Sequence, residues 1–323
     1  MNIGIIGSGL IVKDFLSVHK KADGLNVCAI YSRNIENAKK AAEPYDGIRV
    51  CESVEEMLNM AEVEIIYIAV PNHIHFEYAK KVLEAGKSVV LEKPFTVTSA
   101  EAFELFRIAK EKKLYLFEAI TSIYVPAIDK ICEFRSRSKE IKEAKVSFTQ
   151  RSSRYDDFKN GIIHPVFDAN MNGGVLMDLG VYNLHILNYL FGIPENARYE
   201  SVIEKGVDVG GVVKLFYSDF TAECIISKTE TTKNGIYIET ERGTVKCDGK
   251  PNSMECVEIC EMGEIHTYTA PGGAERLLSQ WEHFRDAYES DDYKKMLRMM
   301  PFTYGTCVIV DMLMGRELEI YRL

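Results

Sequence analysis

The stretch Met1-Asn2-Ile3-Gly4-Ile5-Ile6-Gly7-Ser8-Gly9-Leu10-Ile11-Val12 decides the fold. Ile3–Ile6 is a short apolar run, the mark of a strand buried on both faces. Gly7 and Gly9 interrupt it, and amphipathic helical spacing follows from Leu10. In such a strand–turn–helix the first glycine permits a tight turn. The second lets the main chain approach a pyrophosphate, which is then held by N–H groups at the positive end of the helix. Val12 stands where a third glycine is usual, but that position concerns helix–strand packing rather than phosphate contact. Gly7, Ser8, Gly9, Leu10 and Ile11 are therefore candidate cofactor-binding residues. The bland alternative is a βα turn that binds nothing.

Outward from this turn, further apolar runs occur at Val27–Tyr31, Ile65–Val70, Val89–Leu91 and Leu114–Phe117, separated by segments with helical spacing. Ser53-x-x-Glu56 and Thr98-x-x-Glu101 read as capping boxes, and Gly86 stops the helix that follows Pro71. Apolar strands alternating with helices make a doubly wound parallel sheet, an α/β Rossmann domain over residues 1–122 that binds a nicotinamide dinucleotide. Past Pro126 the rhythm changes. A helix near 126–137 leads to a strand at Ile141–Arg151, a polar loop, and a helix from about Val175 to Leu190. Residues 198–270 read as antiparallel strands with turns at Lys233-Asn234-Gly235 and Cys247-Asp248-Gly249, and helices near 274–288 and 302–315 follow. This predicts an α+β domain over residues 123–323, for substrate binding and oligomerisation, with a large, mostly antiparallel sheet. One face of that sheet must be covered by helices or by a partner subunit.

The second apolar run ends in Tyr31-Ser32-Arg33. A site built for NAD usually has an acidic residue here to bond the ribose 2′-hydroxyl. A hydroxyl and a guanidinium suit a 2′-phosphate instead, so Ser32 and Arg33 favour NADP over NAD. The 323 residues carry 39 Lys and Arg against 48 Asp and Glu, a net −9 with no basic run, which argues against nucleic-acid or anionic-membrane partners. The longest apolar run, Ile65–Val70, is far short of a membrane span. The start of the chain lacks the basic stretch and cleavage pattern of a signal peptide. Eight scattered cysteines without a CxxC fit reduced thiols in a cytoplasmic protein. No spacing marks a metal site, and a positional role is expected for the His73-x-His75 pair.

Three further motifs carry a family resemblance. They are Ala69-Val70-Pro71-Asn72-His73-Ile74-His75, Glu92-Lys93-Pro94-Phe95, and Gly173-Gly174-Val175-Leu176-Met177-Asp178-Leu179-Gly180-Val181-Tyr182. In that order and spacing the chain resembles the Gfo/Idh/MocA oxidoreductases, the glucose–fructose oxidoreductase and inositol dehydrogenase group, from residue 1 to about 192. Glu92–Thr96 and Glu118-Ala119 resemble the dimeric dihydrodiol dehydrogenase branch, whose members use NADP. That branch has an aromatic residue and an arginine where this chain has Thr121 and Ile123, so its substrates do not carry over. The resemblance implies hydride transfer between nicotinamide and a sugar, polyol or related small hydroxy or carbonyl compound. It also implies homodimers or homotetramers, here through the C-terminal sheet.

Ligands of an open parallel sheet bind beyond the carboxyl ends of its strands. Ala69, Pro71, Asn72, His75, Glu92 and Lys93 therefore join the cofactor set, with packing in the first turn of a helix as the other reading of His75. Oxidising a carbinol by hydride transfer also moves a proton, so the site needs an acid/base and a group that stabilises alkoxide charge. Lys93 suits the second task. Asp178 and Tyr182, spaced i, i+4, share a helix face, which the resemblance places toward the nicotinamide. Tyr182 is expected to exchange the proton with the substrate oxygen, assisted by Lys93, while Asp178 holds a substrate hydroxyl and orients the lysine. His164 and Asn170, on the loop before Gly173, are candidate substrate contacts, and His185 is expected in the core. Three other functions use the same scaffold: a redox-assisted, NAD-dependent glycosidase; reduction of an unsaturated bond, as in biliverdin reductase relatives, against which the Lys93, Asp178 and Tyr182 set argues; and a non-catalytic nucleotide-sensing regulator.

Overall fold

The computed structural model describes residues 1–318. The described residues divide into two compact units, residues 1–119 with 277–303, and residues 120–276 with 304–318.

In the first unit the strands are β1 (Asn2–Ile6), β2 (Asn26–Tyr31), β3 (Arg49–Val50), β4 (Ile65–Ile68), β5 (Ser88–Glu92) and β6 (Leu116–Ala119). They form one sheet in the order β3-β2-β1-β4-β5-β6, every pair parallel. The expected apolar runs supply five of these strands. β3 escaped notice because two residues, one of them an exposed arginine, make no apolar run. Helices α1 (Leu10–Val18), α2 (Ile35–Ala42), α3 (Val54–Leu58), α4 (His75–Glu84) and α5 (Ser99–Lys112) connect the strands. Thr98 and Glu101 make the reciprocal capping box expected at α5. At α3 only half of the box forms: Ser53 accepts from the Glu56 N–H, while the Glu56 carboxylate turns to the Glu52 N–H. Because all strands are parallel, their carboxyl ends lie along one edge, and the winding reverses between β1 and β4.

The second unit opens with α6 (Pro126–Arg137) and holds an eight-stranded sheet. Its strands are β7 (Ile141–Thr149), β8 (Asn196–Glu204), β9 (Val207–Phe216), β10 (Thr221–Ser227), β11 (Gly235–Thr240), β12 (Gly243–Asp248), β13 (Cys256–Glu261) and β14 (Glu264–Thr269). Their order is β14-β13-β12-β11-β7-β10-β9-β8, with β7–β10 the parallel pair. Between β7 and β8 lie α7 (Tyr155–Lys159) and α8 (Val181–Phe191). One face is apolar and buried, with Ala144, Val146 and Phe148 beside Ala222, Cys224 and Ile226. α8 packs on β7 and β10, and α6 on β13, so helices cover that face. The other carries charged ladders such as Lys145 with Glu143 and Glu223. No helix of the described residues is long and apolar enough to cross a membrane.

The sequence pattern grouped everything after residue 122 with the second domain. In the structure residues 277–303 cluster with the first unit instead, for a reason visible in α9 (Leu278–Glu289). Its Trp281 stacks on Phe15, centroids 4.1 Å apart, and meets Tyr67 edge-on at 5.0 Å. Phe284 stacks on Phe117 at 4.7 Å, and Tyr288 packs against Tyr115. Aromatic pairs of this kind contribute about 0.5–1.5 kcal/mol each beyond their buried area. α10 (Tyr293–Leu313) also starts earlier than expected, running through Pro301 rather than beginning after it. A proline inside a helix forfeits one backbone bond, and the buried Met296 and Met300 just before it anchor the turn.

Burial holds the rings of His19 and His283 in this first unit neutral. His19 has its pKa lowered, and that of His283 falls to about 4 from an ordinary 6.5, with burial the largest cause in both. Between those values the unfolded chain binds more protons than the folded one, so stability drops as the pH falls through this window. Urea denaturation at pH 7 and pH 4.5 should show that loss, and His283→Gln should flatten the dependence. An equal pH slope in the variant would remove His283 from the account.

Candidate active site

At the carboxyl edge of the first sheet, Gly7 has φ +129° and donates its N–H to the Tyr31 carbonyl at 2.8 Å. A Cβ at this residue would lie 2.1 Å from the Ala69 carbonyl oxygen, so only glycine lets the end of β1 pass this close to the end of β4. Gly9 is the N-cap of α1, and no side chain caps that end of the helix. A Cβ at Gly9 would meet nothing within 4 Å, and Leu10 is 70% exposed. The first turn has no acidic residue. Helix amides left open at a positive helix end, beside a turn whose two glycines carry no side chain, fit a dinucleotide diphosphate. The Ser8 and Ser32 hydroxyls hydrogen-bond to each other at 2.9 Å, which joins the turn to the end of β2, and Arg33 is exposed next to Ser32.

Pro71 ends the β4 loop, and a short 3-10 turn, Asn72–Ile74, carries the half-buried Asn72 into α4. His75 is 1% exposed, with Nδ1 2.8 Å from the Pro94 carbonyl and Nε2 2.9 Å from the Val70 carbonyl. Burial lowers its pKa, so the ring stays neutral and donates to one of these carbonyls. The ring ties the loop after β4 to the loop after β5. Glu92 is likewise interior, its carboxylate accepting from the Tyr67 hydroxyl at 2.5 Å. Lys93 follows immediately and is half-buried, and the buried Phe95 stacks on Phe106 at 5.1 Å to anchor the loop. Gly7–Ile11, Ser32, Arg33, Ala69, Pro71, Asn72, His75, Glu92 and Lys93 thus all stand at the carboxyl ends of β1, β2, β4 and β5.

In the second unit Gly174 has φ +112°, and a Cβ there would lie 1.8 Å from Asp208 Oδ1. That clearance brings Asp208 Oδ2 within 2.8 Å of the Leu176 N–H, and the Tyr199 hydroxyl donates to the same oxygen at 2.7 Å. A carboxylate on β9 therefore seats the start of the next helix. Leu176–Gly180 forms a π turn that runs into α8, a widening found often at functional sites. Asp178 lies in this turn, half-buried, and its carboxylate is paired with the ammonium of Lys228. Tyr182, one turn on, is buried with its ring tilted against Phe148 at 5.7 Å.

Lys228 lies outside every sequence motif, although the parity of β10 signals it. Ala222, Cys224 and Ile226 alternate as the buried face of β10, and residue 228 continues their parity. A lysine in phase with a buried face must find a partner. Other expectations meet different surroundings. His164 Nε2 donates to Asp157 at 2.8 Å, Asn170 is exposed on a 3-10 turn, and His185 is buried as expected. Thr121 donates to the Asn252 carbonyl at 2.6 Å and Ile123 is buried.

Residues 1–119 match an oxidoreductase family with an NAD-binding Rossmann fold. A scyllo-inositol 2-dehydrogenase (NADP+) of Bacillus subtilis is 30% identical over 286 residues, 88% of this chain and 87% of that protein. The trans-1,2-dihydrobenzene-1,2-diol dehydrogenase of Mus musculus is 30% identical over 221 residues, 66% of this chain and 64% of that one. Among solved structures, KijD10, a 3-ketoreductase from Actinomadura kijaniata in complex with NADP and TDP-benzene, superposes with TM-score 0.83 at 23% identity, covering 98% of this chain and 97% of that one. The glycine turn, the six-stranded parallel sheet and the extent of these matches lead to one assignment: the chain belongs to the Gfo/Idh/MocA family of NAD(P)-dependent oxidoreductases.

Proposed function

We propose that the chain is an NADP-dependent dehydrogenase or reductase of a sugar, polyol or related hydroxy or carbonyl compound. The observation that carries the cofactor choice is the link from Ser8 to Ser32, with Arg33 exposed beside it. It puts a hydroxyl and a guanidinium at the strand end where a 2′-phosphate is read. The substrate class is supported by relatives named for inositol and dihydrodiol oxidation. Those names give no support to hydrolysis or to nucleotide sensing.

In this reading the amides from Gly7 to Ile11 hold the diphosphate, and Ser32 and Arg33 hold the 2′-phosphate. Ala69, Pro71, Asn72 and Glu92 shape the rest of the cradle, and His75 keeps its two loops together. The bound nicotinamide supplies or takes up the hydride. Lys93 places a cation at the substrate oxygen, polarising a carbonyl or stabilising an alkoxide. Tyr182 exchanges the proton at that oxygen. Asp178 accepts a hydrogen bond from a substrate hydroxyl. Asn170 keeps its side chain exposed for a substrate contact, whereas the His164 ring is already engaged by Asp157. Self-association through the outer face of the second sheet belongs to the same proposal, since Val202 and Ile225 are exposed there among the charged ladders.

Three measurements test this. Lys93→Met should bind NADP as the parent does and lose about 10²- to 10⁴-fold in kcat with any polyol or aldose that supports turnover; turnover kept at the parental rate would sink the assignment. Arg33→Ala should weaken NADP by about tenfold to a hundredfold, the worth of a charge-assisted bond, and leave NAD nearly unchanged; equal losses for both would overturn the 2′-phosphate reading. Light scattering should give a dimer or tetramer that Ile225→Lys disrupts, and a monomeric parent would end the self-association proposal.

A further inference from the structure

We infer that Lys228 is a positioning residue for substrate recognition, holding Asp178 as an oriented, ionised acceptor for a substrate hydroxyl. This rests on the reading above that Asp178 touches substrate.

Lys228 is fixed from three directions. Its N–H donates to the Val209 carbonyl at 2.8 Å and its own carbonyl accepts from Ser152 at 2.9 Å, so the main chain stays pinned one residue past the end of β10. Its ammonium lies 5.7 Å from the centre of the Phe167 ring, which belongs to an apolar cluster with Tyr155, Phe158, Val207 and Val209. The Asp178 carboxylate closes the third side.

The pair is asymmetric in a way that decides its direction. The lysine side chain is 6% exposed and the aspartate 31%. A ligand can reach the carboxylate but not the ammonium. A buried ammonium beside a carboxylate favours the ionised form, which only accepts hydrogen bonds. The site therefore selects a donor, such as the hydroxyl of a polyol.

Neighbouring strands provide a two-point seat for the π turn. From β9, Asp208 holds its main chain at Leu176. From the end of β10, Lys228 holds its side chain at Asp178. The Val209 carbonyl that fixes Lys228 belongs to the residue after Asp208, so both points hang on one piece of strand. Lys228 thus meets the side chain of Asp178, while Asp208 meets the main chain of the same turn.

The test is a double-mutant cycle on the full chain with NADP, assayed on a polyol panel headed by scyllo-inositol. Lys228→Met keeps the stem against Phe167 and removes the charge. It should lower kcat/KM for the polyol by about tenfold to a hundredfold, mostly through KM, as misplacement of a recognition group does. The Kd for NADP should be unchanged, and Lys228→Arg should restore much of the loss. Asp178→Asn combined with Lys228→Met should be no worse than Asp178→Asn alone, because the lysine acts through the aspartate. Losses that add in the double variant, or a Lys228→Met enzyme with parental KM and kcat, would overturn the inference while leaving the functional reading intact. An Asp178→Asn enzyme with parental kinetics would sink both. If Lys228→Met does not fold, the double variant leaves no unpaired buried charge, and its comparison with Asp178→Asn decides the matter alone.

Discussion

The missing side chain at residue 7 is the constraint on which the cofactor cradle depends. Three strand ends meet there: β1 at Gly7, β2 through the Tyr31 carbonyl, and β4 through the Ala69 carbonyl, which a Cβ would approach to 2.1 Å. A larger residue would part β1 from β4 and disturb the start of α1, whose amides are the proposed diphosphate site. The same device recurs at Gly174, where the space of a Cβ is taken by the Asp208 carboxylate. Both glycines precede helix starts, but the two starts are completed differently. At α1 the first amides are left without a side-chain cap, the place proposed above for the cofactor diphosphate. At Leu176 an internal carboxylate has already filled that place. One helix start is thereby open, as the proposed ligand site needs, and the other is a rigid mount.

The polar groups near these mounts are held indoors by specific partners. Glu92 receives the Tyr67 hydroxyl, His75 spans two loop carbonyls, and Lys228 sits between Asp178 and an aromatic ring. Burying such groups is costly unless each is paired, and paired groups have few alternative positions. The aromatic contacts of α9 act from behind the first sheet: Trp281 packs against Tyr67, the residue that donates to Glu92. Apolar packing and site geometry are in this way one continuous structure.

The strands of the first sheet were legible because a parallel sheet covered on both faces demands uninterrupted apolar runs, which Ile3–Ile6 and Ile65–Ile68 display. The glycine turn was legible for a similar reason, since backbone geometry at Gly7 excludes every other residue. Lys228 was half legible: its parity on β10 put it indoors, but which carboxylate it meets depends on how the β9–β10 pair abuts the π turn. The π turn itself has no signature in Leu176–Gly180. His75 was ambiguous because the same ring could face a ligand or two carbonyls, and the answer lies in the distance between loops twenty residues apart.

By itself the amino-acid sequence determined the class of fold, the phosphate turn and the set of residues at the carboxyl edge of the first sheet, because all three follow from local periodicity and backbone sterics. Tertiary structure decided the rest. It returned residues 277–303 to the first unit through aromatic faces that no local pattern could match to Phe15 and Phe117. It also gave Asp178 to Lys228, a pairing set by the register of strands some fifty residues away along the chain. Long-range partners are chosen by packing, and packing exists only once the chain has closed on itself.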